Sequence, residues 1–201
     1  MKSLFIERST DKGSVALVED GVVLASADLS SNIVGNGMWA VEVRDFIADA
    51  EIDEIVVGTG PGSFAGIRAA LSFSQGYAIG SGCRVRGLPS PCSFAPADGP
   101  LAVVGDARRG KYWIALFEGV RLVVPIFQVD GDILAKRIPL GVTVLTPDAA
   151  RIEPVLRETF GEAYGGGVVP DASSLARVAC ANPALLADEP LPVYLNPAVR
   201  D

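Results

Sequence analysis

A chain of 201 residues with 49% hydrophobic and 20% charged side chains carries enough apolar material for one large domain or two small ones. Its 24 acidic residues outnumber 17 basic ones, and the net charge of −7 disfavours a phosphate-neutralising nucleic-acid surface. There is no histidine, which excludes Ser-His-Asp and Cys-His catalysis and every histidine-containing metal site within this chain.

Three cysteines, Cys83, Cys92 and Cys180, form no CxxC pair, a usage expected of a reducing cytoplasm rather than a disulfide framework. The apolar run Leu4-Phe5-Ile6 stops at Glu7, too short for a signal-peptide core. The stretch from Val120 to Val129 contains Arg121, Pro125 and Gln128 and cannot span a bilayer. A soluble cytoplasmic protein without a membrane partner is expected.

In chain order, Ser3–Glu7 opens as a short strand. Ser14–Val18 and Val22–Ala27 flank Glu19-Asp20-Gly21, whose glycine supplies the positive φ of a tight hairpin. Between Gly37 and Ala50, Trp39, Val43, Phe46, Ile47 and Ala50 recur at helical spacing. Ile55-Val56-Val57 is a β-branched run of the buried-strand kind, Ser63 to Ile79 reads as a second helix, and Arg84–Gly87 as a strand. Ser90 to Gly99, with two prolines, marks a boundary between residues 1–96 and 97–201.

The pattern then restarts. Leu101–Val104 is apolar, Lys111–Phe117 and Arg121–Gln128 form a hairpin about Glu118-Gly119, and Asp130–Lys136 is read as helical. Val142–Leu145 is a strand, Thr146-Pro147-Asp148 starts a helix ending near Phe160, and Gly165-Gly166-Gly167 is read as a turn. Asp171–Cys180 is a final helix, ended by Asn182-Pro183. Both halves run strands first and then alternate helix and strand, the order of an α/β mixed sheet covered by helices, made twice.

The strongest local signal is Gly58-Thr59-Gly60-Pro61-Gly62-Ser63-Phe64-Ala65-Gly66-Ile67-Arg68, between a buried-type strand and a helix. Glycines permit the sharp turn, Pro61 fixes φ, and Ser63 can cap the helix whose free amides attract an anion. It lacks the Gly-Lys-Ser/Thr of a Walker loop and the third glycine of GxGxxG, so a strand-to-helix turn selected for close packing is the simpler reading. Ser63 also lacks a nucleophile-elbow spacing and a base to activate it. Asp106-Ala107-Arg108-Arg109-Gly110-Lys111 follows a strand; it is either a charged turn or an approach to a phosphate or an acidic partner.

Together these segments resemble the TsaB (YeaZ) family, the noncatalytic component of the bacterial machinery that makes N6-threonylcarbamoyladenosine in tRNA. The resemblance rests on GTGPGSFAGIR (Gly58–Arg68), GDARRGKYW (Gly105–Trp113) and PVYLNPAVRD (Pro192–Asp201), with the hairpin Ser14–Ala27 in support. It implies a two-lobed actin and sugar-kinase-like fold and a TsaD-like catalytic subunit as partner, with a TsaE-like ATPase and a TsaC-type enzyme completing the pathway. The family's docking mode implies that the two helices of the first lobe meet the partner. The residues assigned to that face are Met38, Trp39, Glu42, Ala65, Gly66, Ala69, Ala70, Phe73 and Tyr77. The same face implies a homodimer when the partner is absent, and ATP or ADP only at the interface of the complex. Catalytic and metal-ligating residues are expected to be absent here.

Two departures from the family pattern stand out. The usual Asp-Thr-Ser-Thr after the first strand is Glu7-Arg8-Ser9-Thr10, which argues against a nucleotide at that turn, and the usual His-Ser-Glu of the first helix is replaced around Asn36-Gly37-Met38-Trp39. The candidate anion contacts are Ser9, Thr10, Gly62, Ser63, Asp106 and Arg108. The alternatives are a small-molecule kinase or ATPase of the same fold, with Asp106 as its one suitably placed carboxylate, and a peptidase homologue.

Overall fold

The protein's computed structural model describes residues 1–30 and 37–195, in two compact units. The first opens with β1 (Lys2–Glu7), β2 (Gly13–Glu19) and β3 (Val22–Leu29), continues through α1 (Met38–Ile47) and β4 (Glu54–Gly58), and ends its first pass with α2 (Phe64–Ser81) and β5 (Arg84–Leu88). The sheet order is β3-β2-β1-β4-β5; β1 is antiparallel to β2 and parallel to β4, so it sits centrally. β4 is buried along its whole length, as its β-branched run requires. Alternation sends Leu4, Ile6, Val15, Ile55 and Val57 to one face, where Val43 and Ile47 of α1 and Ile67, Ala70 and Leu71 of α2 cover them. Burying each such side chain contributes about 1.5–3 kcal/mol.

The second unit, built on Phe94–Val169, repeats the plan. Its strands are β6 (Pro100–Arg108), β7 (Lys111–Glu118), β8 (Arg121–Leu122), β9 (Phe127–Asp130), β10 (Thr143–Thr146) and β11 (Tyr164–Gly167), with α3 (Ala149–Phe160) before the last. The order is β11-β10-β6-β7-β8, with β9 also on β7, and β6 takes the central place. Ala102, Val104, Ile114, Val144, Ile152 and Leu156 join β6, β7, β10 and α3 in one core. The GDARRGKYW motif has a packing reason here: Gly105 faces Trp113 across the β6–β7 pair, and a Cβ on Gly105 would overlap the indole.

Three sequence expectations change in this unit. The strand expected over Arg121–Gln128 is two short ones, because Pro125 between them has no N–H to give to a ladder. Gly165-Gly166-Gly167, expected as a turn, belongs to β11 and pairs in parallel with β10; a Cβ at Gly165 would crowd the side chains of Leu145 and Thr143, 2.9 Å away. The helical stretch expected over Asp130–Lys136 is a 3-10 segment, Gly131–Arg137, with Leu134 turned inward.

The expected boundary at 96/97 shifts as well. The first unit ends at Ser93, and Pro170–Val193 returns to it. That return carries α4 (Ala172–Ala181), which covers the face of β1 and β2 opposite α1 and α2; the Ala172 N–H donates to Ser14 Oγ at 2.9 Å. The physical reason is a sheet with two apolar faces: Phe5, Ala16 and Val18 would otherwise meet water, and the buried stripe Leu175, Ala176, Val178 and Ala179 fits them. Asp171 caps the helix, accepting from the Ser174 N–H at 2.8 Å. Among the described residues no helix is long and apolar enough to cross a membrane.

Candidate functional site

α2 is a helix with two contrasting faces. Gly66, Ile67, Ala70, Leu71 and Ser74 are buried toward the sheet. Phe64, Ala65, Arg68, Ser72, Gly76 and Ile79 face outward, with Ile79 89% exposed. On α1, Met38 and Val41 are exposed while Val43 and Ile47 reach the core. Between the two helices, Trp39 meets Phe73 edge-on at 5.3 Å between ring centroids, and Phe73 stacks on Tyr77 at 6.4 Å.

The nine residues assigned to the docking face therefore separate. Met38 and Ala65 are exposed; Trp39, Glu42, Ala69, Phe73 and Tyr77 are half-buried, and Trp39, Phe73 and Tyr77 pack on the core cluster. Gly66 and Ala70 are not on the face at all: both are buried, and their small size suits a helix packed on the sheet. Glu42 is engaged internally, accepting from the Ser30 N–H at 2.7 Å and from the Ser30 hydroxyl, and these bonds hold its carboxyl below the usual range. The exposed Val41, Phe64 and Ile79 were missed. For Ile79 the signal lies in the helical period, which turns it away from the stripe Ile67–Ala70–Leu71–Ser74; Val41 lies on α1, and Phe64 opens α2.

The turn after β1 meets the loop before α2. Glu7 is buried, and its Oε1 accepts from the Ser9 N–H at 2.5 Å while Oε2 makes no hydrogen bond among the described residues. Burial pushes the Glu7 carboxyl above its ordinary value, held back by the bonds from Ser9. The Ser63 N–H donates to the Ser9 carbonyl at 2.6 Å, and Ser63 Oγ accepts from the Gly66 N–H at 3.3 Å. A Cβ on Gly62 would overlap that same Ser9 carbonyl. Thr10 Oγ1 donates to the Lys12 carbonyl at 2.9 Å. Ser9, Gly62 and Ser63 are thus brought together, but the chain's own carbonyl takes the Ser63 amide that an anion would need.

Arg8, in the same turn, is buried, and its guanidinium lies 4.3 Å from the centroid of Trp39. The loop is closed from the C-terminal side: Gly87 and Ala187 exchange two backbone bonds of 2.9 Å, and the Val193 N–H donates to the Thr59 carbonyl at 2.9 Å. Asn36 of the first-helix departure and Asn196–Asp201 of the last motif lie outside the described residues.

In the second unit, Asp106 Oδ2 accepts from Arg151 Nε at 2.8 Å and lies 3.3 Å from Arg108 Nη1. The Asp106 N–H donates to Asp148 Oδ2 at 2.8 Å, and Arg151 also pairs with Asp148. Burial raises the Asp148 carboxyl above its ordinary value, while the Asp106 amide and Arg151 favour its charged form. Asp106 and Arg108 do meet, as a carboxylate already matched by two guanidiniums, an arrangement that neutralises the acid instead of leaving it open to a cation.

No protein-family profile matches the chain. An uncharacterized protein of Mycobacterium tuberculosis H37Rv is 36% identical over 86 residues, which cover 42% of this chain and 41% of that protein. The tRNA threonylcarbamoyladenosine biosynthesis protein TsaB of Escherichia coli K12 is 30% identical over 125 residues, 56% of this chain and 54% of TsaB. The chain thus spans about half the length of the curated relatives it matches. Two solved structures from Pseudomonas aeruginosa share its fold. A protein with similarity to peptidase YeaZ gives a TM-score of 0.74 at 20% identity, covering 97% of this chain and 99% of the other. YeaZ itself gives 0.72 at 21% identity, covering 96% and 99%. The two mixed sheets covered by helices are the fold that these two structures share. The chain is thus similar in sequence to TsaB over about half its length and shares the YeaZ fold over nearly all of it.

Proposed function

We propose that this protein is a noncatalytic subunit of the machinery that makes N6-threonylcarbamoyladenosine in tRNA, docking a TsaD-like catalytic subunit through α1 and α2. The observation that carries the reading is the exposed apolar set on those helices, Met38, Val41, Phe64 and Ile79, beside the family's GTGPGSFAGIR segment. Large apolar side chains left exposed on two helices favour a protein partner, and a specific interface buries roughly 1,600 Å² in total. The kinship with Escherichia coli TsaB supports the pathway. Docking acts on the catalytic subunit by favouring one of its conformations. In the absence of that subunit the same face pairs two copies of the chain, and a TsaE-like ATPase joins the assembled complex.

A kinase or ATPase of the same fold is the second reading. The occupied Ser63 amide and the arginine-matched Asp106 both weigh against it. A peptidase is disfavoured because the chain has no histidine to activate a serine. Titration calorimetry of the purified chain against the host's TsaD-like subunit tests the proposal. Complex formation at micromolar concentrations, lost in Ile79→Asp, is expected. No heat at those concentrations, or ATP turnover by the chain alone, would reject it.

A further inference from the structure

The two departures from the family pattern, at the turn after β1 and at the start of α1, form one contact. Arg8 is 1% exposed, and its guanidinium lies over the face of Trp39 at 4.3 Å. The room for it comes from Gly13, where a Cβ would sit 3.0 Å from Arg8 Nη1. Glu42, three residues beyond Trp39 on α1, supplies the negative charge that favours the guanidinium and is itself pinned by Ser30 at the end of β3. From Trp39 the packing runs on to Phe73 and then to Tyr77 on α2. A cation seated against an aromatic face away from water restricts that ring more than an apolar neighbour does.

We propose that Arg8 is a positioning residue of the docking face: seated beneath α1, it sets the Trp39 ring and, through it, the Phe73–Tyr77 row against which a partner helix lies. The inference rests on the docking role proposed above. It gives the arginine of the altered turn a task in partner recognition instead of phosphate binding. Because the row is half-buried, a change in the Trp39 ring alters the shape of the face without removing any exposed side chain.

The test uses the full chain labelled with 5-fluorotryptophan. Its two indoles, Trp39 and Trp113, give two fluorine resonances, and Trp113 lies in the core of the other unit as an internal control. Arg8→Leu removes the cation and Arg8→Lys keeps it; Arg8→Gln is a second neutral variant that serves if Arg8→Leu does not fold. The neutral variants are expected to shift the Trp39 resonance, leave that of Trp113 in place and weaken binding to the host's TsaD-like subunit by about tenfold. Arg8→Lys is expected to stay within about threefold of the native affinity. Native affinity in the neutral variants, an unmoved Trp39 resonance, or equal losses in the lysine and neutral variants would each overturn the inference while leaving the docking role intact. Failure of the unaltered chain to bind would remove the docking role and this inference together.

Discussion

The carboxyl of Glu7 occupies the place where a side chain on Gly58 would begin. Ser90 Oγ, which accepts from the Gly60 N–H at 3.0 Å, closes the same space 2.9 Å from that point. One acid at the end of β1 therefore dictates a glycine at the end of β4, two strands that run side by side in the sheet.

Gly58→Ala should accordingly cost about 3 kcal/mol or more, since the methyl has no room without moving a buried carboxyl. Glu7→Asp, which shortens the acid by one methylene, is expected to restore part of the loss. Urea unfolding of the single and double variants measures both terms, and an additive pair would contradict the contact.

Glu7 also sets a pH dependence. Its folded carboxyl titrates above the unfolded one, so between the two values the native state holds a proton that the unfolded chain has lost. Its contribution is complete below the unfolded glutamate value, about 4.3, and declines as pH rises through the folded value. Glu7→Gln should flatten the fall in stability above that pH, and its melting temperature should match or exceed the native one at neutral pH. A steeper fall in the variant would reverse the assignment.

Glu54 on β4 is buried and receives both Nε and Nη2 of Arg86 on β5, at 2.6 and 3.0 Å. Glu54→Gln should cost about 3 kcal/mol by leaving the guanidinium without its counter-charge. Replacing both residues with leucine is expected to cost less than either single change. A double-mutant cycle in urea checks the coupling.

α2 supplies a paired comparison. Ile79→Asp, on the exposed face, should alter stability by no more than about 0.5 kcal/mol while abolishing complex formation with the TsaD-like subunit. Ala70→Asp, buried against the sheet, should cost more than about 3 kcal/mol and lose near-ultraviolet circular dichroism. Equal effects on folding would show that the two faces are not distinct.

The cysteines differ in reactivity for the same reason of burial. Cys92 is enclosed and its thiol is pushed up to about 12, whereas Cys180 is exposed. Iodoacetamide at pH 8 should label Cys180 in the native protein and spare Cys92 until denaturant is added, as peptide mass spectrometry would read.

Much of the fold was legible along the chain. The β-branched run Ile55–Val57, the hairpin about Asp20-Gly21 and the helical spacing of Val43 and Ile47 are local patterns, and each produced the element expected. The candidate site was legible only to the level of its helices. Ala70 and Ile79 are equally plausible outward residues in a list of apolar positions, and only the sheet beneath α2 assigns one inward and the other to solvent.

Local pattern thus determined where most strands and helices of the first unit begin, and the absent histidines exclude histidine-dependent chemistry from this chain. Tertiary structure alone decided that α4 returns to the first sheet, that Ser9 takes the Ser63 amide, and that Arg8 comes to rest beneath Trp39. The reason is sequence separation. Each of these contacts joins residues 30 or more positions apart, and such a pairing depends on which buried face still lacks a partner once the local elements have formed, a quantity that no short window of sequence contains.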